Sequence, residues 1–289
     1  MEAGAAAVAA ARAGLFLLLL AGTAPNSTAR AAWSPSTTIA GIRLYALAIL
    51  AAASLGAGSA RGADTQWRFD VKRQNTDRDT PGESTRTTLR LEAFPEGWVA
   101  LWRLDLPFPD EKDTFSGSPF DPRLGDIKVR GRLKPMDVSG VPISFLSELT
   151  FPSADPESLG QGKYQVMAGA ETTHRFDSLG SREHEVSFSP QIQQVVSVAG
   201  DPERKDVNYT KFELALRDVW RKVYSLKLTA KPVIDWVQDG KTGAVAELEG
   251  AVTLRHNWKL QLMLGGRLWG EGVASTYGTR VELTVGKTF

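Results

Sequence analysis

Two short clusters in this chain bring together residue types that could perform acyl transfer. His174 precedes Asp177 and Ser178, and His184 is followed by Glu185, Ser187 and Ser189. Such chemistry needs a hydroxyl nucleophile within hydrogen-bond reach of an imidazole, and a carboxylate to orient the ring. Both clusters border the polar stretch from Arg175 to Glu183, which reads as a connection, so the plainer expectation is exposed polar residues. With His256 these are the only imidazoles, and the chain has no cysteine. That composition removes thiolate nucleophiles, disulfides and Cys-based metal sites from consideration, and nothing in it calls for a cofactor.

A larger set of reactive side chains is spread through the chain with regular spacing. Arg90, Arg103, Asp105, Lys128, Arg130, Arg132, Glu148, Glu171, Lys227, Glu247, Glu249, Arg267, Arg280 and Glu282 each alternate with apolar neighbours. What such charges do depends on what they face. In a water-filled lumen they would form cross-strand ion pairs, and a surplus of Lys and Arg would select anionic or polar solutes. A formal net charge of only +1 argues against a general polyanion-binding surface, and so against nucleic acid as a partner.

The elements that must carry these residues are strands. From Asp64 onward apolar residues recur at every second position, the period of a ribbon with two different faces. Trp67, Phe69 and Val71 alternate with Arg68, Asp70 and Lys72; Leu89 and Leu91 alternate with Arg90 and Glu92. Trp98, Ala100, Trp102, Leu104 and Leu106 oppose Arg103 and Asp105. Further runs follow around Ile127, Phe145, Val166, Phe188, Leu214, Leu228, Leu248 and Leu262, making about twelve with the last. That last run, Tyr277 to Phe289, places Tyr277, Val281, Leu283, Val285 and Phe289 on one parity. A terminal strand ending on an apolar-side aromatic is a form common in bacterial outer-membrane barrels, where the insertion machinery reads it.

Connections point the same way. Pro95 to Gly97, Asp218 to Arg221 and His256-Asn257 are tight, whereas Pro109 to Arg123, Ser153 to Gly162 and Ala199 to Asp206 are longer and rich in turn formers. Bacterial barrels have short periplasmic turns and longer outer loops. Strands of about 11 residues, rising ~3.3 Å per residue with a tilt near ~40°, cover roughly 28 Å, enough to cross an outer membrane. The expectation is therefore all-β: a single antiparallel transmembrane β-barrel of about 12 strands over residues 61–289. A soluble β-sandwich or periplasmic barrel is the alternative. Trp98, Trp102, Tyr164, Tyr209, Tyr224, Trp258, Tyr277 and Phe289 sit near run ends, where interfacial girdles would lie.

Residues 1–60 have a different character. Leu44 to Leu55 follows Arg43 and precedes Gly58 and Ala60, the layout of a signal peptide with a small-residue cleavage site. Twelve apolar residues fall short of the ~20 that a membrane-crossing helix requires. Residues 1–60 are read as a targeting segment with an over-extended start, against the alternative of an anchor helix.

Two stretches carry a resemblance. Leu124-Gly125-Asp126-Ile127-Lys128, and Phe151 to Asp155 running on to Leu159-Gly160-Gln161-Gly162-Lys163-Tyr164, resemble the family of outer-membrane transporters named for the meta-cleavage pathway of phenol degradation. The resemblance covers residues 124–164 and implies a barrel that moves small solutes, including aromatic or hydrophobic compounds. It transfers no binding residue. The functional expectation is a channel or porin-like transporter in the bacterial outer membrane, not an enzyme, whose partners are membrane lipid, the insertion machinery acting on the strand that ends at Phe289, and a small solute. A lipid-modifying barrel enzyme is the rival, although neither histidine cluster has the His-x-Ser spacing of the outer-membrane phospholipases. A structural envelope barrel is the third reading.

Overall fold

The computed structural model describes residues 65–77, 83–110, 123–154, 159–177, 179–180 and 183–289. The targeting segment expected at residues 1–60, Ser178 and most of the Pro109 to Arg123 stretch lie outside the described residues. Gly62–Phe289 forms one compact unit. It is built of fourteen strands: β1 (Gln66–Thr76), β2 (Ser84–Phe94), β3 (Val99–Pro109), β4 (Ile127–Leu133), β5 (Met136–Val138), β6 (Val141–Phe151), β7 (Lys163–Thr172), β8 (His174–Arg175), β9 (His184–Gly200), β10 (Asn208–Trp220), β11 (Tyr224–Asp235), β12 (Lys241–Thr253), β13 (Trp258–Trp269) and β14 (Thr279–Thr288).

Twelve of these close into a ring of antiparallel neighbours, because β14 pairs back onto β1 from Arg68↔Thr288 to Thr76↔Arg280. Closure leaves no edge strand, so the ladder satisfies backbone groups all round the ring. The remaining two are short extensions, β5 on β6 and β8 on β9. The β5–β6 hairpin was not anticipated, since Met136–Val138 is too short for a period to show. Its turn, Ser139-Gly140, has positive φ at both positions (55° and 84°), the geometry that suits the twist of a two-residue hairpin.

Side-chain alternation sorts the two faces. Leu228, Leu264, Leu283 and their neighbours are left uncovered on the outside, at 51%, 48% and 46% exposure. On the inside Asp70, Gln193 and Thr284 are almost completely enclosed. An apolar outer band of this extent around a polar interior is the inverse of a water-soluble domain, and only lipid covers it without cost. Aromatics gather at both margins: Trp67, Trp98, Tyr224, Trp258 and Phe289 near the end where β1 begins and β14 ends, Trp236 and Trp269 near the other.

Two expected girdle residues are elsewhere. Tyr277 precedes β14 instead of starting it, and it is 5% exposed because its ring turns into the barrel. Tyr209 also faces inward, opposite Val195 in the ladder. β9, which carries Pro190 and Gln194 in its middle, is the longest strand. Its outward Gln194 is satisfied by Asn208 and Thr210.

Candidate functional site

Strand register sets the interior chemistry, because neighbours across a ladder on the same face stand within side-chain reach. Arg90 is opposite Asp105, and the guanidinium makes a two-pronged bond to that carboxylate at 2.6 and 2.8 Å. Arg130 and Lys128 converge on Glu148 at 2.7 and 3.7 Å. Arg132 meets Glu171 at 3.0 Å, and Lys227 meets Glu249 at 2.8 Å. Glu247 takes Lys231 at 2.6 Å and Arg280 at 3.8 Å.

Of the charged residues singled out in the sequence, others besides Glu247 find partners outside that set. Arg103 bonds Glu92, Glu282 bonds Lys72, and Arg267 reaches the exposed Glu271 at 3.5 Å. Arg86 and Arg217 have no carboxylate within ion-pair distance among the described residues, and Lys259 donates to Gln261 instead. Positive charge is therefore in excess along the inner wall.

These groups surround open space. A cavity of about 250 Å³ lies inside the barrel against β2, β3, β4, β6, β7, β9 and β10. Arg90, Arg103, Lys128, Arg130 and Lys211 supply its cations, Asp105 and Glu148 its anions, and Gln165, Gln193 and Tyr209 neutral hydrogen-bonding groups. Its apolar share is small, chiefly Met167 and Val195.

A connection narrows the lumen. Residues 270–278, between β13 and β14, fold inward, and Ser275 lines the same cavity as Tyr209. The segment is pinned at several points. Asp235 accepts from the Ala274 amide at 3.1 Å and from Gln238 Nε2 at 2.8 Å, and the same Gln238 amide donates to the Gly272 carbonyl at 2.8 Å. Tyr277 Oη donates to Glu247 Oε1 at 2.6 Å, while the Arg280 guanidinium lies 3.6 Å from the Tyr277 ring centre. Gly265 is required beneath it, because a Cβ there would stand 2.5 Å from the Tyr277 hydroxyl. Sequence spacing alone had no signal for this inward segment, apart from a tyrosine on the apolar parity whose hydroxyl needed a partner.

The two resemblance stretches form a fastener at the end opposite the start of β1. Asp126 Oδ2 accepts the Gln161 amide at 2.7 Å. Ser153 Oγ accepts from the Ile127 amide and donates to the Gly125 carbonyl, both at 2.9 Å. Gly160 packs so closely on Asp126 and Ala154 that any side chain there would collide with both. Asp126 is accordingly a loop tie and not an inner-wall charge, and Arg255, which shared the inward parity, lies in an exposed turn.

Among the described residues, which leave out Ser178, the histidine clusters do not assemble as a triad. Within the second, His184 faces outward, stacks on Trp220 at 5.5 Å and lies 2.5 Å from Asp218, whereas Ser187 faces the interior. Ser189 Oγ bonds Thr173 Oγ1 at 2.8 Å. In the first cluster His174 packs edge-on against Phe176.

No family model and no curated protein matches the chain. Among solved structures, the outer-membrane channel from Pseudomonas putida F1 is similar at 13% identity with a TM-score of 0.56, over 79% of this chain and 96% of that one. The KdgM porin (9% identity, TM-score 0.45, 77% and 99% covered) and the β domain of the Bordetella autotransporter BrkA (12%, 0.42, 79% and 100%) are also similar. The first of these likenesses shows a shared barrel fold.

Proposed function

We propose that this barrel is an outer-membrane channel of the porin-like kind, passing small solutes through its lumen and favouring anions. The observation that carries the reading is the inner wall: a cavity of about 250 Å³ bounded by Arg90, Arg103, Lys128, Arg130 and Lys211, inside a shell whose outer face suits lipid. A dozen strands enclose more space than side chains alone fill dry, and rings of Lys and Arg lower the barrier for anions more than for cations. The inward loop at residues 270–278 then sets the narrowest passage.

The motifs around Asp126 and Gly160 support membership of the meta-cleavage-pathway transporter family, and with it aromatic or hydrophobic solutes. For a solute of that class, a carboxylate or phenolate group would answer the cationic wall, and Met167 and Val195 offer its ring a limited apolar contact. Phe289, outward and 68% exposed at the end of the last strand, is what the insertion machinery would read, and residues 1–60 would direct export. No catalytic step enters this reading, since the arrangement brings no nucleophile and base together among the described residues. Reversal potential in a salt gradient across a planar bilayer tests it. A potential of the sign set by anion flow is expected, and equal permeability of anions and cations would defeat the anion preference.

A further inference from the structure

The rim at the end where β1 begins and β14 ends has a charge pattern that lumen transport does not use. From β9 round to β14, two tight turns stand side by side. The β10–β11 turn holds Arg221 and Lys222 in left-handed backbone conformations (φ 50° and 57°), and the β12–β13 turn does the same for His256 and Asn257 (58° and 60°). They are joined through the backbone, the Thr253 amide donating to the Val223 carbonyl at 2.7 Å, and the first turn is tied to the start of β9 by the Arg221 amide, which donates to the Glu183 carbonyl at 2.6 Å. Large apolar and aromatic side chains flank both turns on the lipid side, namely Trp220, Tyr224, Leu254 and Trp258.

The acids on this arc are already engaged. Glu183 pairs with Arg221 at 2.9 Å, Asp218 with His184 at 2.5 Å, and Glu185 with Arg175 at 3.2 Å. Lys222 and Arg255 are exposed and have no anionic partner among the described residues. Just inside them Lys287 lies over Trp258 and Phe289, 5.4 and 4.9 Å from the ring centres. Uncompensated cations held at the height of an aromatic belt face lipid headgroups, not bulk water.

We infer that this arc binds the phosphodiester headgroup of an anionic phospholipid in the leaflet at this end of the barrel. Lys222 and Arg255 approach the phosphate from two adjacent turns, and Trp220, Tyr224 and Trp258 pack against the glycerol and upper acyl chains. The inference rests on the membrane-spanning reading but not on conduction. Aromatics alone would hold any lipid; the excess charge is what discriminates, and its effect must shrink with ionic strength.

The test is native mass spectrometry of the membrane-extracted barrel, supplied with phosphatidylglycerol or with phosphatidylcholine of the same acyl chains. Phosphatidylglycerol is expected to stay bound where phosphatidylcholine is lost. The double variant Lys222→Gln, Arg255→Gln should lower phosphatidylglycerol retention by about tenfold or more, from the contribution of two cations near an anionic surface. Lys205→Gln, an exposed lysine at the opposite end, should leave it unchanged. Equal retention of the two lipids, or a double variant that still holds phosphatidylglycerol, overturns the inference. Each single variant repeats the measurement should the double variant fold poorly. An intact barrel that retains phosphatidylglycerol but conducts nothing would instead count against the channel reading alone.

Discussion

Tyr277 donates a 2.6 Å hydrogen bond from its hydroxyl to Glu247 Oε1, joining the β13–β14 connection to the wall strand β12. Glu247 is held in turn by Lys231, so the bond ends on a carboxylate that is itself fixed. Tyr277→Phe removes the donor and leaves the ring in place. The anchoring of residues 270–278 should weaken by about 1–3 kcal/mol, as for a bond to a charged group. Single-channel recordings should then show larger or more frequently fluctuating conductance, whereas an unchanged trace would mean that this loop does not bound the passage.

The cationic wall can be inverted without touching the lipid face. Arg130→Glu places a carboxylate beside Glu148 and leaves Lys128 as the nearest compensating charge. Anion preference should fall and the reversal potential should move toward the cation side. A selectivity unmoved by this substitution would show that ions pass elsewhere.

The two faces make opposite demands on the same substitution. Leu262→Arg puts a guanidinium against hydrocarbon, with an expected cost of about 2–4 kcal/mol near the bilayer midplane. Gln261→Arg, its sequence neighbour on the inner face, should cost far less, because its head reaches a polar lumen. Urea unfolding of lipid-embedded barrel measures both. Similar costs would contradict the assignment of faces.

Period-two alternation was sufficient to read all twelve ring strands, because a closed barrel separates two solvents and every strand repeats that contrast. It failed where contacts depend on chain segments that carry no period. Tyr277 shares parity with Val281 and Leu283, yet its hydroxyl finds Glu247 inside, and the strand starts only at Thr279. Arg255 and Asp126 likewise continue the inner alternation on paper but sit in a turn and a loop. The β5 and β8 extensions are too short to leave a repeating signal. Pairing choices, such as Arg103 with Glu92, follow from register, which alternation does not fix.

The fastener between the β3–β4 and β6–β7 connections should be sensitive to a single methyl. Gly160→Ala drives a Cβ into Asp126 and Ala154, and Asp126→Ala strips the Gln161 amide of its acceptor. Each should destabilise this end by about 1–3 kcal/mol and speed proteolysis of residues 152–162. Cleavage at the parent rate in both variants would remove the structural role assigned to these motifs.

Acidity should loosen a different loop. The hydrogen bond from Lys163 holds the Asp206 carboxyl below the ordinary carboxylate range. A depressed carboxyl lends its stability above its unfolded-state value and loses it as pH falls through the folded one. Hydrogen exchange in residues 201–207 should therefore accelerate only below about pH 4, and Lys163→Gln should abolish that step. Asp206 is largely exposed, so the effect is local.

The most direct test of the whole account is conductance of the membrane-extracted chain in a planar bilayer. Discrete current steps that grow with salt concentration, with a reversal potential on the anion side, are the predicted result. Barrels that insert, shown by their resistance to unfolding in the gel without heating, and yet carry no current would contradict it.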